Sequence, residues 1–225
     1  MSAKMVGVFL QECFASFLML VLLFPFGSFL GDTWMGWTAH FFCVMLHDWI
    51  TGGSQVNPAV SIATTLYGWN TPASAAVRIA GQLVGGLAAF PVVARVLPPY
   101  VKMGGPMLNT TSVADGCAWE FGLTFALLIL VYVAATQIGL PAQRPIIAGG
   151  IRTLIYYGGK TGPAMNPMIA LSWAYYAAPA SINMDHFLVY WVSSTAGAIA
   201  ATLLWKAVEP KRITEAGEEA KDKYD

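Results

Sequence analysis

Two asparagines stand where this sequence could do chemistry. Asn57 lies in "GSQVNPAVSI", residues 53–62, and Asn166 in "GPAMNPMIAL", residues 162–171. Each is followed by a proline, Pro58 or Pro167, and then by an apolar residue, Ala59 or Met168. A side-chain amide offers two N–H donors and a carbonyl acceptor, so a pair of them suits the recognition of a neutral polar molecule. Asparagine is also a favoured helix N-cap. Proline is favoured at the first helical position, where its missing N–H would have had no partner. Each Asn-Pro therefore predicts a helix that begins at it.

The surroundings of these amides are apolar. The chain has 225 residues, 56% of them hydrophobic and 11% charged, with a mean hydropathy of +0.58. Soluble domains are about a quarter charged, so the composition is that of a membrane protein whose partner is the lipid bilayer. Twelve basic and twelve acidic residues cancel, which gives no case for nucleic-acid binding. Cys13, Cys43 and Cys117 lie in or beside apolar runs without ligand spacing, and are expected to be buried free thiols. No Ser-His-Asp arrangement or glycine-rich phosphate loop is present. The sequence thus points to no enzyme, cofactor or metal site.

A spanning helix needs about 20 mostly apolar residues, within a range of about 17–25. Six runs qualify, some barely: about 6–30, 35–50, 73–97, 113–136, 143–159 and 186–208. The first carries only Lys4 ahead of a long apolar run interrupted by Glu12, which reads as a retained span and not a cleaved signal. Two stretches, 57–67 and 166–177, are too short to cross. They read as half-helices that start at the Asn-Pro pairs and stop within the membrane.

The chain repeats itself. "QECFASFLML" at 11–20 resembles "AWEFGLTFAL" at 118–127, aligning Glu12 with Glu120, Ser16 with Thr124 and Phe17 with Phe125. From Glu12 to Asn57 is 45 positions, and from Glu120 to Asn166 is 46. "GQLVGG" at 81–86 then parallels "SSTAGA" at 193–198. Residues 1–110 and 111–208 each read as three spans with a half-helix between the second and third, and 209–225 as a solvated cytosolic tail. An odd number of spans per repeat forces the two repeats into opposite orientations. The expected fold is all-α: six transmembrane helices plus two re-entrant half-helices in an inverted repeat, whose broken helices meet at mid-membrane.

With both termini in the cytosol, Lys4, Arg78, Arg144, Lys206, Lys211, Arg212, Lys221 and Lys223 fall inside, against Arg95, Lys102 and Lys160 outside. Eight against three obeys the positive-inside rule. The glycosylation sequon at Asn109 then faces the lumen or cell exterior.

Ionisable groups within spans are costly and usually functional. Arg152, near the middle of the fifth span, has two uses: a cation on the wall of a pore, or a partner for Asp48. Pairing is the expected one. His40 and His47 on the second span suit either a pH sensor or packed, pore-wetting groups. Gly85, Gly86, Gly197 and Ala198 permit close helix crossing. Trp34, Trp49, Trp69 and Tyr100 read as interfacial anchors.

On the doubled Asn-Pro motif, Glu12, Glu120 and the glycine-rich third spans, residues 5–208 resemble the aquaporin (major intrinsic protein) family. "GPAMNPMIALSWAYY" looks most like its unorthodox branch, the small basic intrinsic proteins and their animal relatives. The resemblance implies a homotetramer with one pore per subunit. It also implies that Glu12 and Glu120 accept hydrogen bonds from the backbone of the re-entrant loops. Family spacing puts the outer constriction at Trp37, Leu154, Pro163 and Ile169, with the fifth-span register fixed only to within one residue. Orthodox members carry an arginine at the position of Ile169 and a second Asn-Pro-Ala where Met168 stands.

Non-helical backbone at membrane depth is tolerated only where protein buries it or where it lines a water-filled cavity. Half-helices entering from opposite faces would bring Asn57 and Asn166 together with their amides offered to a lumen. Both positive dipole ends would point there, repelling cations while a neutral polar molecule passes. The expected function is a passive channel for water or another small neutral solute (glycerol, hydrogen peroxide). The alternatives are an ion-coupled secondary transporter and a closed-pore structural membrane protein. The final "KDKYD" places Lys221 and Lys223 as in the dilysine signal of the endoplasmic reticulum, which favours that membrane over the plasma membrane.

Overall fold

The structure, a computed structural model, describes residues 2–31, 33–101, 103–108 and 112–209. Those residues are helical, without strands. In chain order they form α1 (Ala3–Leu30), α2 (Trp34–Thr51), α3 (Pro58–Tyr67), α4 (Pro72–Val96), α5 (Val113–Val133), α6 (Gln143–Tyr157), α7 (Pro167–Ala177), α8 (Met184–Phe187) and α9 (Ser194–Val208). A π-helical stretch extends α5 to Ile138, and another joins α8 to α9 in one helix over Met184–Val208. Among the described residues, four helices are long and apolar enough to cross a membrane: Ala3–Leu30, Pro72–Val96, Val113–Ile138 and Met184–Val208. Helix α2, with 18 residues, and α6, with 15, reach about 27 and 22 Å at the usual rise of about 1.5 Å per residue.

The packing is paired. Helix α1 lies against α4, and α5 against α9. Glycine sets both crossings. A Cβ on Gly85 would collide with the carbonyl of Cys13, and one on Gly197 with the carbonyl of Phe121. Gly86 lies against Met168 and Ser172 of α7. These contacts bring backbones together where there is no water-driven force between helices.

Several expectations need correction. Arg78 is buried against Glu12 and is not a loop charge, so its place in the inside count lapses. Trp69 is only 4% exposed, packed with Tyr67 and Tyr132 just beyond the end of α3; Trp34, Trp49 and Tyr100 are exposed. Cys43 is buried, but Cys13 and Cys117 are only partly so, Cys117 at the edge of the cluster of Val189 and Tyr190. Glu209, taken as the start of a solvated tail, accepts from the Tyr67 hydroxyl at 2.6 Å. Asn109, Lys102, Lys221 and Lys223 lie outside the described residues.

Candidate functional site

Helices α3 and α7 begin where the Asn-Pro pairs require. Asn57 caps α3 by accepting from Ala59 N at 2.9 Å, and Asn166 caps α7 by accepting from Met168 N at 3.0 Å. Pro58 and Pro167 open the two helices. Each capping side chain keeps its amide nitrogen for the other motif. Asn57 Nδ2 donates to the Met165 carbonyl at 2.8 Å, and Asn166 Nδ2 donates to the Val56 carbonyl at 2.8 Å. The positive ends of the two helices are thereby held together by reciprocal bonds. One N–H of each amide is thus committed to backbone.

The accepting carbonyls belong to the two non-glycine residues with positive φ among the described residues, Val56 at 49° and Met165 at 48°. A β-branched residue in that region is an outlier, and such strain persists only where its surroundings over-determine it. Here they do. Glu12 accepts from Gln55 N at 3.0 Å and Val56 N at 2.9 Å. Glu120 accepts from Ala164 N at 3.0 Å and Met165 N at 2.8 Å. Both carboxylates are fully buried.

Their further partners differ. Arg78 Nη1 lies 2.6 Å from Glu12 Oε1, and Gln82 Nε2 donates to Glu12 Oε2 at 3.0 Å. Around Glu120 the donors are the hydroxyls of Thr161, at 2.8 Å, and Ser194, at 3.3 Å. The Tyr190 hydroxyl donates to the Thr161 carbonyl at 2.7 Å. Ion pairing braces the first loop; neutral hydroxyls brace the second. The aligned segments at 81–86 and 193–198 already set Gln82 opposite Ser194, and that was the available signal. Nothing comparable pointed to Arg78, Thr161 or the strained Val56 and Met165.

Asn57 and Asn166 line one cavity of about 570 Å³. Its walls come from both halves of the chain: α1, α2 and the loop before α3, with α5, α6 and the loop before α7. Pro163 and Ile169 line it. Trp37 and Leu154 do not line it. Trp37 stacks on Phe41 with ring centroids 5.5 Å apart, its indole toward Gly149 of α6. Leu154 packs into the core cluster formed by α3, α5 and α9. The cavity face of α6 runs through Ile147, Ile151 and Ile155, a helical period that turns Leu154 aside.

The pairing expected of Asp48 with Arg152 is also corrected. Asp48 ion-pairs with Arg144, which lies two turns earlier on α6 and therefore level with the last turn of antiparallel α2. Arg152 Nη2 instead donates to the Gly31 carbonyl at 3.2 Å, at the C-cap of α1. Both arginines line the cavity, as do His40 and His47. His47 Nε2 is bonded to the Ala15 carbonyl at 2.9 Å.

The sequence model of the Major intrinsic protein family matches residues 2–205. Aquaporin SIP1-1 of Arabidopsis thaliana is 33% identical over 179 residues, covering 76% of this chain and 73% of its own. Aquaporin SIP2-1 of Oryza sativa subsp. japonica is 29% identical over 185 residues, covering 77% and 71%. The X-ray structure of the aquaglyceroporin from Plasmodium falciparum superposes with a TM-score of 0.76 at 20% identity, over 91% of this chain and 96% of that one. At that identity the likeness concerns the fold.

Proposed function

The chain belongs to the major intrinsic protein family, whose members are integral membrane channels for water or small solutes and not enzymes, and from that premise we propose a pore through each subunit centred on Asn57 and Asn166. In this reading α1, α2, α4, α5, α6 and the helix over Met184–Val208 are the six spans. Helices α3 and α7 are re-entrant halves of an inverted repeat over 1–110 and 111–208. The observation that carries the reading is the reciprocal bond between each asparagine amide and the strained carbonyl before the other, at the wall of one cavity.

An amide has two N–H groups. One ties the half-helices together; the second faces a permeating oxygen. The aligned ends of α3 and α7 give that point a positive potential, which rejects cations and leaves neutral molecules to pass. Glu12 and Glu120 hold the loops and do not conduct. Water, glycerol and hydrogen peroxide are the candidate permeants. An ion-coupled transporter would need an intramembrane charge to bind the driving ion, with Asp48 and Arg152 as the candidate set, and their separate partners weaken that alternative.

The test is stopped-flow light scattering on proteoliposomes, challenged in turn with an impermeant osmolyte, glycerol and peroxide and without any ion gradient. Permeability above that of empty vesicles is expected for at least one of the three. None above background would overturn the channel reading. Planar bilayers should show no ionic conductance from the same preparation.

The family resemblance supports a homotetramer, which mass measurement in detergent tests. The dilysine pattern supports residence in the endoplasmic reticulum. Changing Lys221 and Lys223 to Ser should release the protein toward the cell surface; a double variant that stays in place removes the retrieval reading.

A further inference from the structure

Trp69 is only 4% exposed, yet it lines the cavity beside Val60, Leu127 and Val131. It lies two residues beyond Tyr67, the last residue of α3. That helix has ten residues, about 15 Å at the usual rise, so Trp69 stands well away from the asparagine pair. Its backbone is fixed there. Gly68 turns the chain at φ 111°, and Trp69 N donates to the Thr64 carbonyl at 2.8 Å. Its indole meets Tyr67 and Tyr132 edge-on, with ring centroids 4.7 and 5.7 Å apart. Part of the indole is therefore packed on aromatic rings, and part borders the cavity.

Tyr67 is held in turn. Its ring stacks on Tyr132 at 5.1 Å, and its hydroxyl donates to Glu209 Oε1 at 2.6 Å. Glu209 is the C-cap of α9, the helix that ends the described chain. One turn earlier on α9, Lys206 Nζ donates to the Leu66 carbonyl at 3.2 Å. The end of α9 is thus fastened to the end of α3 at two points. A phenylalanine at position 67 would make the same ring contacts. The hydroxyl adds a short bond to a carboxylate, which is stronger and more directional than packing. The carboxylate braces at Glu12 and Glu120 do not use it.

We propose that the Trp69 indole sets the width of the cavity at the α3 end, and that Glu209, through the Tyr67 hydroxyl, is the residue that positions it. A large flat ring on a fixed backbone is a movable wall. Held against Tyr67 and Tyr132, it leaves the passage open; when Tyr67 is freed, it can swing into the passage. Glu209 is a positioning residue and touches no permeant. This rests on the channel reading above.

The experiment measures water and glycerol permeability on proteoliposomes carrying full-length wild type, Tyr67→Phe, Glu209→Ala, Glu209→Gln, Trp69→Ala and Tyr67→Phe combined with Trp69→Ala. Tyr67→Phe and Glu209→Ala are each expected to lower water permeability by about fivefold, within the population change that a bond to a charged group can drive. Glu209→Gln keeps an acceptor oxygen and should lose less. Trp69→Ala should raise the glycerol-to-water ratio, because the indole no longer fills that wall. In the Trp69→Ala background, Tyr67→Phe should have no further effect, since the ring that it positions is gone; a merely structural role for Tyr67 would lower permeability in both backgrounds. If Trp69→Ala does not fold, Trp69→Leu serves as the background with the same expectation. A folded Tyr67→Phe with wild-type permeability, or an equal loss in both backgrounds, would overturn the proposal while leaving a conducting wild type, and so the channel reading, intact. A wild type that conducts neither water nor solute removes the channel reading and this proposal together.

Discussion

Asn166 donates its side-chain amide to the carbonyl of Val56, and Val56 reaches that position only by holding φ at 49°. The same relation runs back from Asn57 to Met165, at 48°. Backbone strain of this kind costs about 1–3 kcal/mol per residue. The carboxylates of Glu12 and Glu120 offset it by fixing the N–H of each strained residue. The junction of α3 and α7 is therefore stabilised from behind, by two buried carboxylates.

The two braces differ in charge, and this predicts different costs. Glu12→Gln takes the carboxylate from a buried arginine at 2.6 Å, a change worth about 3–5 kcal/mol. Glu120→Gln disturbs only neutral donors, at about 1–3 kcal/mol. Thermal unfolding in detergent should place Glu12→Gln below Glu120→Gln. The reverse order would show that the Arg78 pair contributes nothing beyond the backbone bonds.

Close helix crossing gives a second contrast. Alanine at Gly85 or Gly197 would drive a Cβ into the facing backbone carbonyl of Cys13 or Phe121, and neither helix can yield locally. Each substitution should lower stability by at least about 1–3 kcal/mol, the cost of overpacking. Gly122, also within a span, has nothing within 4 Å, so alanine there should be neutral or stabilising by up to about 1 kcal/mol. Equal melting temperatures for the three variants would contradict the packing described.

These contrasts mark what the sequence disclosed. The starts of α3 and α7 were legible because Asn-Pro is a start signal with a local mechanism, and both helices begin one residue after Asn57 and Asn166. Gln82 and Ser194 sat opposite each other in the internal repeat before either was seen to meet a glutamate. Side-chain direction was less legible. Leu154 and Ile155 differ by about 100° around a helix, and only the packing of α6 decides which faces the cavity. The partner of Asp48 was missed for a related reason. Arg144 and Arg152 are separated by about two turns of α6, and choosing between them requires knowing how α6 is staggered against α2.

The Asp48–Arg144 pair is half-exposed on both sides, so it should contribute little to stability, about 0–1 kcal/mol. Arg144→Met should unfold within that margin of wild type. A loss of several kcal/mol would mean that the pair is a structural clamp between α2 and α6.

Ile169 offers the sharpest test of the site in the opposite direction. It lies on the first turn of α7 and lines the cavity beside the Asn166 cap. A guanidinium placed there would narrow the passage and add donors to a wall that is now apolar. It would also add a third guanidinium to a cavity already lined by Arg144 and Arg152, and like charges in a poorly solvated site repel strongly. Ile169→Arg should therefore cost stability as well as change transport. Glycerol permeability is expected to fall by about tenfold relative to water, a discrimination in the range one pocket contact supplies. Stopped-flow traces on folded, reconstituted variant measure the ratio directly. An unchanged ratio would show that the cavity is not limiting at position 169.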